Sequence, residues 1–240
     1  MNKKSFSVQN IIMIIKRKIA VAVVLNSAIV LATMAVILSF FMGNKDAFIR
    51  SGPQSFRFFT TDSNVLSMLG SMIMIPFELR ILRGKAESIP RFAVILKYIG
   101  TASVTLTFFT VMFFLGPTFG YDIFLGDTGI FTHLLSPMLA FYTFTLLESD
   151  CEISFKNVLW AIVPTLIYGA VYLTQVVFVG ERNGGWEDFY FFNLGGYWYM
   201  SSTVMFIAGI LVNLLVRSLH NSTCRKLSGI QKSGKRVYEW

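Results

Sequence analysis

Several stretches of about 20 residues run through this chain with almost no charge, and they limit what it can fold into. A helix rises about 1.5 Å per residue, so a run of that length matches the roughly 30 Å hydrocarbon core of a bilayer. In hydrocarbon the backbone must satisfy its own hydrogen bonds, which leaves helices or a closed barrel. The apolar runs do not alternate in polarity, which argues against barrel strands. Charged residues make up only 14% of the 240, against about 25% in a soluble domain, and Phe alone contributes 24. The expected architecture is all-α, a polytopic membrane protein with six transmembrane helices at about 19–42, 58–79, 93–116, 129–147, 157–179 and 196–216. No repeat, low-complexity segment or second domain interrupts it, so residues 1–240 read as a single integral membrane domain.

The second span carries information of its own. Its apolar part, Val65 to Leu79, is too short to cross comfortably. The helix must start nearer Phe58 and hold Thr60, Thr61, Asp62, Ser63 and Asn64 in its outer turns.

The net charge of +8 is explained by topology rather than by nucleic acid. Basic residues cluster at the ends of apolar runs, as the positive-inside rule describes. Of 21 Lys and Arg, all but Lys45, Arg50, Arg57 and Arg182 fall on one side of the six-span plan, so both termini are expected in the cytoplasm. The basic N-terminus resembles a signal peptide, but the run after it is long enough to span and shows no small-residue cleavage site, so it is expected to be retained. Residues 5–15 are compatible with a short interfacial helix, and the basic tail after 217 with a place on the anionic inner leaflet. Cys151 and Cys224 are too few for a disulfide framework.

Polar side chains inside a membrane are expensive and need a reason. Thr60, Ser63, Asn64, Ser67 and Ser71 recur at helical spacing and share one face. For Ser67 and Ser71 helix packing is sufficient reason. For Thr60 to Asn64 an N-cap is the plain alternative to a reactive role. Of the two histidines, His220 falls in the basic tail and reads as solvated. His133 lies near the outer end of the fourth span, followed by Ser136 and Pro137, at about the depth of Thr60. A neutral histidine beside a hydroxyl is the minimal nucleophile–base pair. A histidine merely bonded to a neighbouring helix is the plainer reading.

Asp62, Ser136, Tyr172 and Gln175 could line the same outer cavity, with Tyr168 on the Tyr172 face. Glu187, Asp188, Tyr190, Asn193, Tyr197 and Tyr199 flank the sixth span, where tyrosines also form interfacial belts. Glu78 and Glu148 sit at inner helix ends and read as structural. No run of intramembrane charges suggests an ion pathway. Histidines and cysteines are too scattered for a metal site, no phosphate loop or dinucleotide fingerprint is present, and no cofactor is expected.

Phe58-Phe59-Thr60-Thr61-Asp62-Ser63-Asn64 resembles the aromatic-Phe-Thr-x-x-Ser-Asn element of bacterial relatives of the androgen-induced and androgen-dependent membrane hydrolases. His133-Leu134-Leu135-Ser136-Pro137 resembles their His-x-x-x-Pro element. The resemblance implies a membrane threonine hydrolase acting on fatty-acid esters of hydroxy fatty acids or related lipids, with Thr60 as nucleophile and His133 as general base. It also implies a bacterial plasma membrane. Asn64 or Ser63, one turn away, are candidates for supporting the site or donating to an oxyanion. The partner would be a lipid substrate drawn from the bilayer. A lipid or small-molecule binder, or a transporter, using the same outer cavity is the competing class.

Overall fold

The computed structural model describes residues 3–42, 52–148 and 151–236. Lys45 and Arg50 of the outer loop lie outside them. Among the described residues the fold is all-helical, without a strand. The long helices are α1 (Lys3–Phe41), α2 (Phe59–Leu82), α3 (Arg91–Phe119), α5 (Phe131–Leu147), α6 (Lys156–Val179) and α7 (Trp198–Arg236), with a short α4 (Tyr121–Leu125) between α3 and α5.

Five of the six expected spans are helices long and apolar enough to cross a membrane. The remaining one, expected at 129–147, is the shorter apolar helix α5. Their surfaces are inverted relative to a soluble bundle. Leu31, Phe113, Trp160 and Phe178 point outward, while Asn26, Glu78, Lys97, Thr101 and Thr143 are sealed inside. Helices that face lipid have no hydrophobic reason to bury their apolar side chains, so polar groups and small residues gather between them instead.

The centre of the bundle is the seam between α2 and α3. A Cβ added to Gly100 would lie 2.6 Å from the Leu66 carbonyl oxygen, and one added to Gly70 would lie 2.9 Å from Lys97 Cα. Backbone touches backbone at both positions, so the small residues there set the spacing. Ser67, buried in this contact, has the packing role expected of it. Ser71 does more, accepting a hydrogen bond from Lys97 Nζ at 2.7 Å.

Four expectations about the chain ends and caps are corrected. Residues 5–15 are not a separate helix but the beginning of α1. The segment after 217 is not a detached tail: α7 continues to Arg236. His220 is not solvated; it is fully buried, stacks on Phe144 at 4.2 Å, and both ring nitrogens face carbonyl oxygens, Phe144 O and Cys151 O, at 2.9 Å. Asn221 adds two bonds to Ile153, through its backbone N–H and carbonyl, at 2.8 and 2.9 Å. These buried bonds hold the connection after α5 against α7. The N-cap reading of Thr60 to Asn64 also gives way, because Phe58 occupies the cap position of α2 with no side-chain cap bond.

Gly100→Ala should lower thermal stability in detergent by about 1–3 kcal/mol, since the new methyl group must push α2 from α3. The same change at Gly169, where nothing lies within 4 Å of an added Cβ, should leave the melting temperature nearly unchanged.

Candidate active site

Thr60 stands in the first turn of α2, and His133 in the first turn of α5. That turn, Phe131–Leu135, is a π-turn. π-turns are rare and concentrate at functional positions, because the extra residue re-aims the side chains around it. Here it brings His133 Nε2 to 3.2 Å from Thr60 Oγ1. Both residues are nearly buried, at 8% and 7% exposed. Thr61, the competing register, is buried with no hydrogen bond to His133.

The histidine's tautomer follows from its other neighbour. Nδ1 lies 2.7 Å from the Phe124 carbonyl oxygen at the end of α4. A carbonyl only accepts, so Nδ1 carries the hydrogen and Nε2 presents a lone pair to the threonine hydroxyl. Gly129 makes this approach possible, since a Cβ there would meet the Phe124 oxygen. The arrangement is a hydroxyl, a base that accepts its proton, and a third group that orients the base.

Asn64 and Ser63 brace the pair. Asn64 Nδ2 donates to the carbonyls of Thr60 at 2.8 Å and Thr132 at 3.0 Å, tying the first turn of α2 to the first turn of α5. Ser63 Oγ bonds the Thr60 carbonyl at 3.1 Å and Thr107 Oγ1 of α3 at 2.8 Å. The donors of Asn64 and Ser63 are engaged in this scaffold.

The donor that the sequence did not single out is Tyr190, in the loop between α6 and α7. Its hydroxyl accepts the Phe59 N–H at 3.1 Å and shares the cavity wall with Thr60. Burial pushes its phenol up to about 12. It therefore keeps its proton at neutral pH and can donate it. The loop is held by Asp188, whose carboxylate accepts from Tyr172 OH at 2.9 Å and from the Phe192 and Asn193 N–H groups at 2.8 Å. Tyr172 OH in turn accepts the Tyr190 N–H at 3.0 Å. In sequence Tyr190 is one tyrosine among several near a membrane interface, and nothing in the pattern separates it from the belt.

Thr60, Tyr190 and Tyr172 lie on the wall of a cavity of about 720 Å³ between α3, α6 and α7, otherwise lined by apolar side chains such as Phe109, Leu166 and Met205. His133 stands behind Thr60, outside the lining. Of the other expected lining residues, Tyr172 reaches the cavity, and so does Tyr168 on the same face. Asp62 and Gln175 are half-buried elsewhere, and Ser136 is buried within the bundle. Among the described residues no group of three metal-ligating side chains comes together.

Comparison with known protein families, with curated proteins and with solved structures finds no match to this chain.

Asp188→Ala should free the loop while leaving the bundle intact. Hydrogen exchange of the amides at 189–193 should accelerate by tenfold or more, with the exchange of α2 and α3 unchanged.

Proposed function

We propose that the chain is a lipid ester hydrolase of the bacterial plasma membrane, spanning it six times with both termini in the cytoplasm. The observation that carries the reading is the 3.2 Å contact of Thr60 Oγ1 with an Nε2 freed to accept, at the wall of an apolar cavity of about 720 Å³. The resemblance of the Phe59–Asn64 and His133–Pro137 segments to membrane threonine hydrolases supports it, as does the shared depth of the two residues. α5, although short, crosses with the others: both Thr60 and His133 then open at the outer face, and the basic helix ends stay inside.

In the first step Thr60 Oγ1 attacks the ester carbonyl while its proton passes to His133 Nε2. The carbonyl oxygen becomes an oxyanion beside the Tyr190 hydroxyl, which donates to it. Collapse breaks the ester C–O bond, and the imidazolium returns the proton to the leaving alcohol. Water from the outer face then attacks the acyl-threonine with His133 again as base, releasing the fatty acid and restoring the Thr60 hydroxyl. Nδ1–H on Phe124 O keeps the ring aimed throughout. The acyl chain occupies the cavity, where apolar walls replace the lipid tails it leaves.

The test is hydrolysis of a panel of lipid esters by the purified protein in detergent. Thr60→Ala should abolish turnover. His133→Ala should lower kcat by about 10²–10⁴, and Tyr190→Phe by about 10²–10³, the effect of losing one oxyanion donor. Thr61→Ala should retain activity. Mass spectrometry should find an acyl group on Thr60 after rapid quenching. Lipid retained in the cavity but never cleaved, with all variants folded, would instead assign the protein to the lipid binders or transporters.

A further inference from the structure

A second polar cluster lies at the opposite end of the bundle from Thr60, and the hydrolysis has no use for it. Asn26 of α1, Glu78 of α2 and Lys97 of α3 are fully buried, and Glu148 at the end of α5 is 2% exposed. Asn26 is the hub. Its Oδ1 accepts from Lys97 Nζ at 2.6 Å, and its Nδ2 faces both Glu78 oxygens at 3.2 and 3.3 Å and Glu148 Oε1 at 2.5 Å. The amide's orientation is fixed, since the reverse would set its NH₂ against the ammonium. Lys97 Nζ also donates to Ser71 Oγ at 2.7 Å.

The charges do not balance. Two carboxylates and one ammonium leave an excess negative charge on fully or almost fully buried side chains, a costly state inside a bundle. The donors do not balance either. One amide group serves three carboxylate oxygens, and the fourth, Glu148 Oε2, is buried without a partner. The two carboxyl groups are within hydrogen-bonding reach of each other, where like charges repel. A single proton placed between them removes all three faults. It cancels the excess charge, supplies the missing donor, and turns repulsion into a charge-assisted hydrogen bond.

We propose that Glu78 and Glu148 hold one proton between them, making this cluster a proton-binding site inside the bundle. Four other titratable or charged groups on the packed elements bond to backbone carbonyls. Tyr98 of α3 donates to Asn213 O, His220 of α7 faces two carbonyls, Arg217 of α7 donates to Ile153 O, and Lys18 of α1 donates to Leu146 O. The charged groups acting on Glu78 are Glu148 and Lys97. The site is independent of the Thr60 chemistry and stands whether or not the protein cleaves esters.

Infrared spectroscopy of the full chain in detergent at neutral pH, with glutamate labelled at its side-chain carboxyl carbon, tests this. The expected result is one protonated glutamate per chain, identified by the isotope shift of its carbonyl stretch. Among the described residues the remaining glutamates, Glu87, Glu152, Glu181 and Glu187, are exposed, so a band resistant to solvent exchange belongs to the cluster. Glu78→Gln and Glu148→Gln should each remove it, because Lys97 then balances the one carboxylate left. Lys97→Gln should double it. Absence of the band in the native chain, or its persistence in both glutamine variants, would overturn the proposal. The native measurement alone decides the matter if a variant does not fold.

Discussion

Along the seam between α2 and α3 the two backbones come so close that a side chain at Gly70 or Gly100 has no room. Without a hydrophobic force between helices in lipid, such contact is what holds a bundle together, because dispersion and hydrogen bonds act only at short range. The seam also aligns polar groups at both of its ends. Ser63 meets Thr107 at one end, and Ser71 meets Lys97 at the other. The turn that carries Thr60 and the cluster that carries Glu78 are therefore set by the same interface.

α5 supplies the partner at each end. It is short and begins and ends in π-turns, Phe131–Leu135 and Thr143–Leu147. The first holds His133 toward Thr60, and Glu148 follows the second directly, turned back toward Asn26. A helix that packs against α1 and α3 while presenting a base at one end and a carboxylate at the other is constrained along its whole length. The loop after α6 is the third element of the candidate site. Asp188 and Tyr172 hold it so that the Tyr190 hydroxyl meets the Phe59 N–H beside Thr60.

Much of the candidate site is legible in the chain because it obeys local rules. Thr60, Ser63 and Asn64 stand on one helical face, and counting residues from the span ends puts His133 at the same depth. What counting cannot show is distance across the bundle. Tyr190 sits in irregular backbone, where neither period nor hydropathy gives direction, and its tyrosine neighbours at the interface mask it. Gln175 and Asp62 show the reverse: placed by depth alone, they are not part of the cavity lining. His220 was misread because polarity after residue 217 looks like a tail, whereas α7 runs on and buries the ring against Phe144.

Hydropathy by itself determined the helical class and the five longest apolar helices, because backbone hydrogen bonding in hydrocarbon leaves a chain few choices and each choice is local. The shared depth of Thr60 and His133 was likewise legible in it. Only the tertiary structure decided which of two adjacent threonines meets the histidine, which nitrogen of that ring is free, and that Asn26, Glu78, Lys97 and Glu148 converge. Those four residues lie as far as 122 positions apart. Each alone looks like an ordinary helix-end or mid-helix polar residue. Their meeting depends on the rotation of each helix about its axis, which packing against its neighbours sets and composition does not.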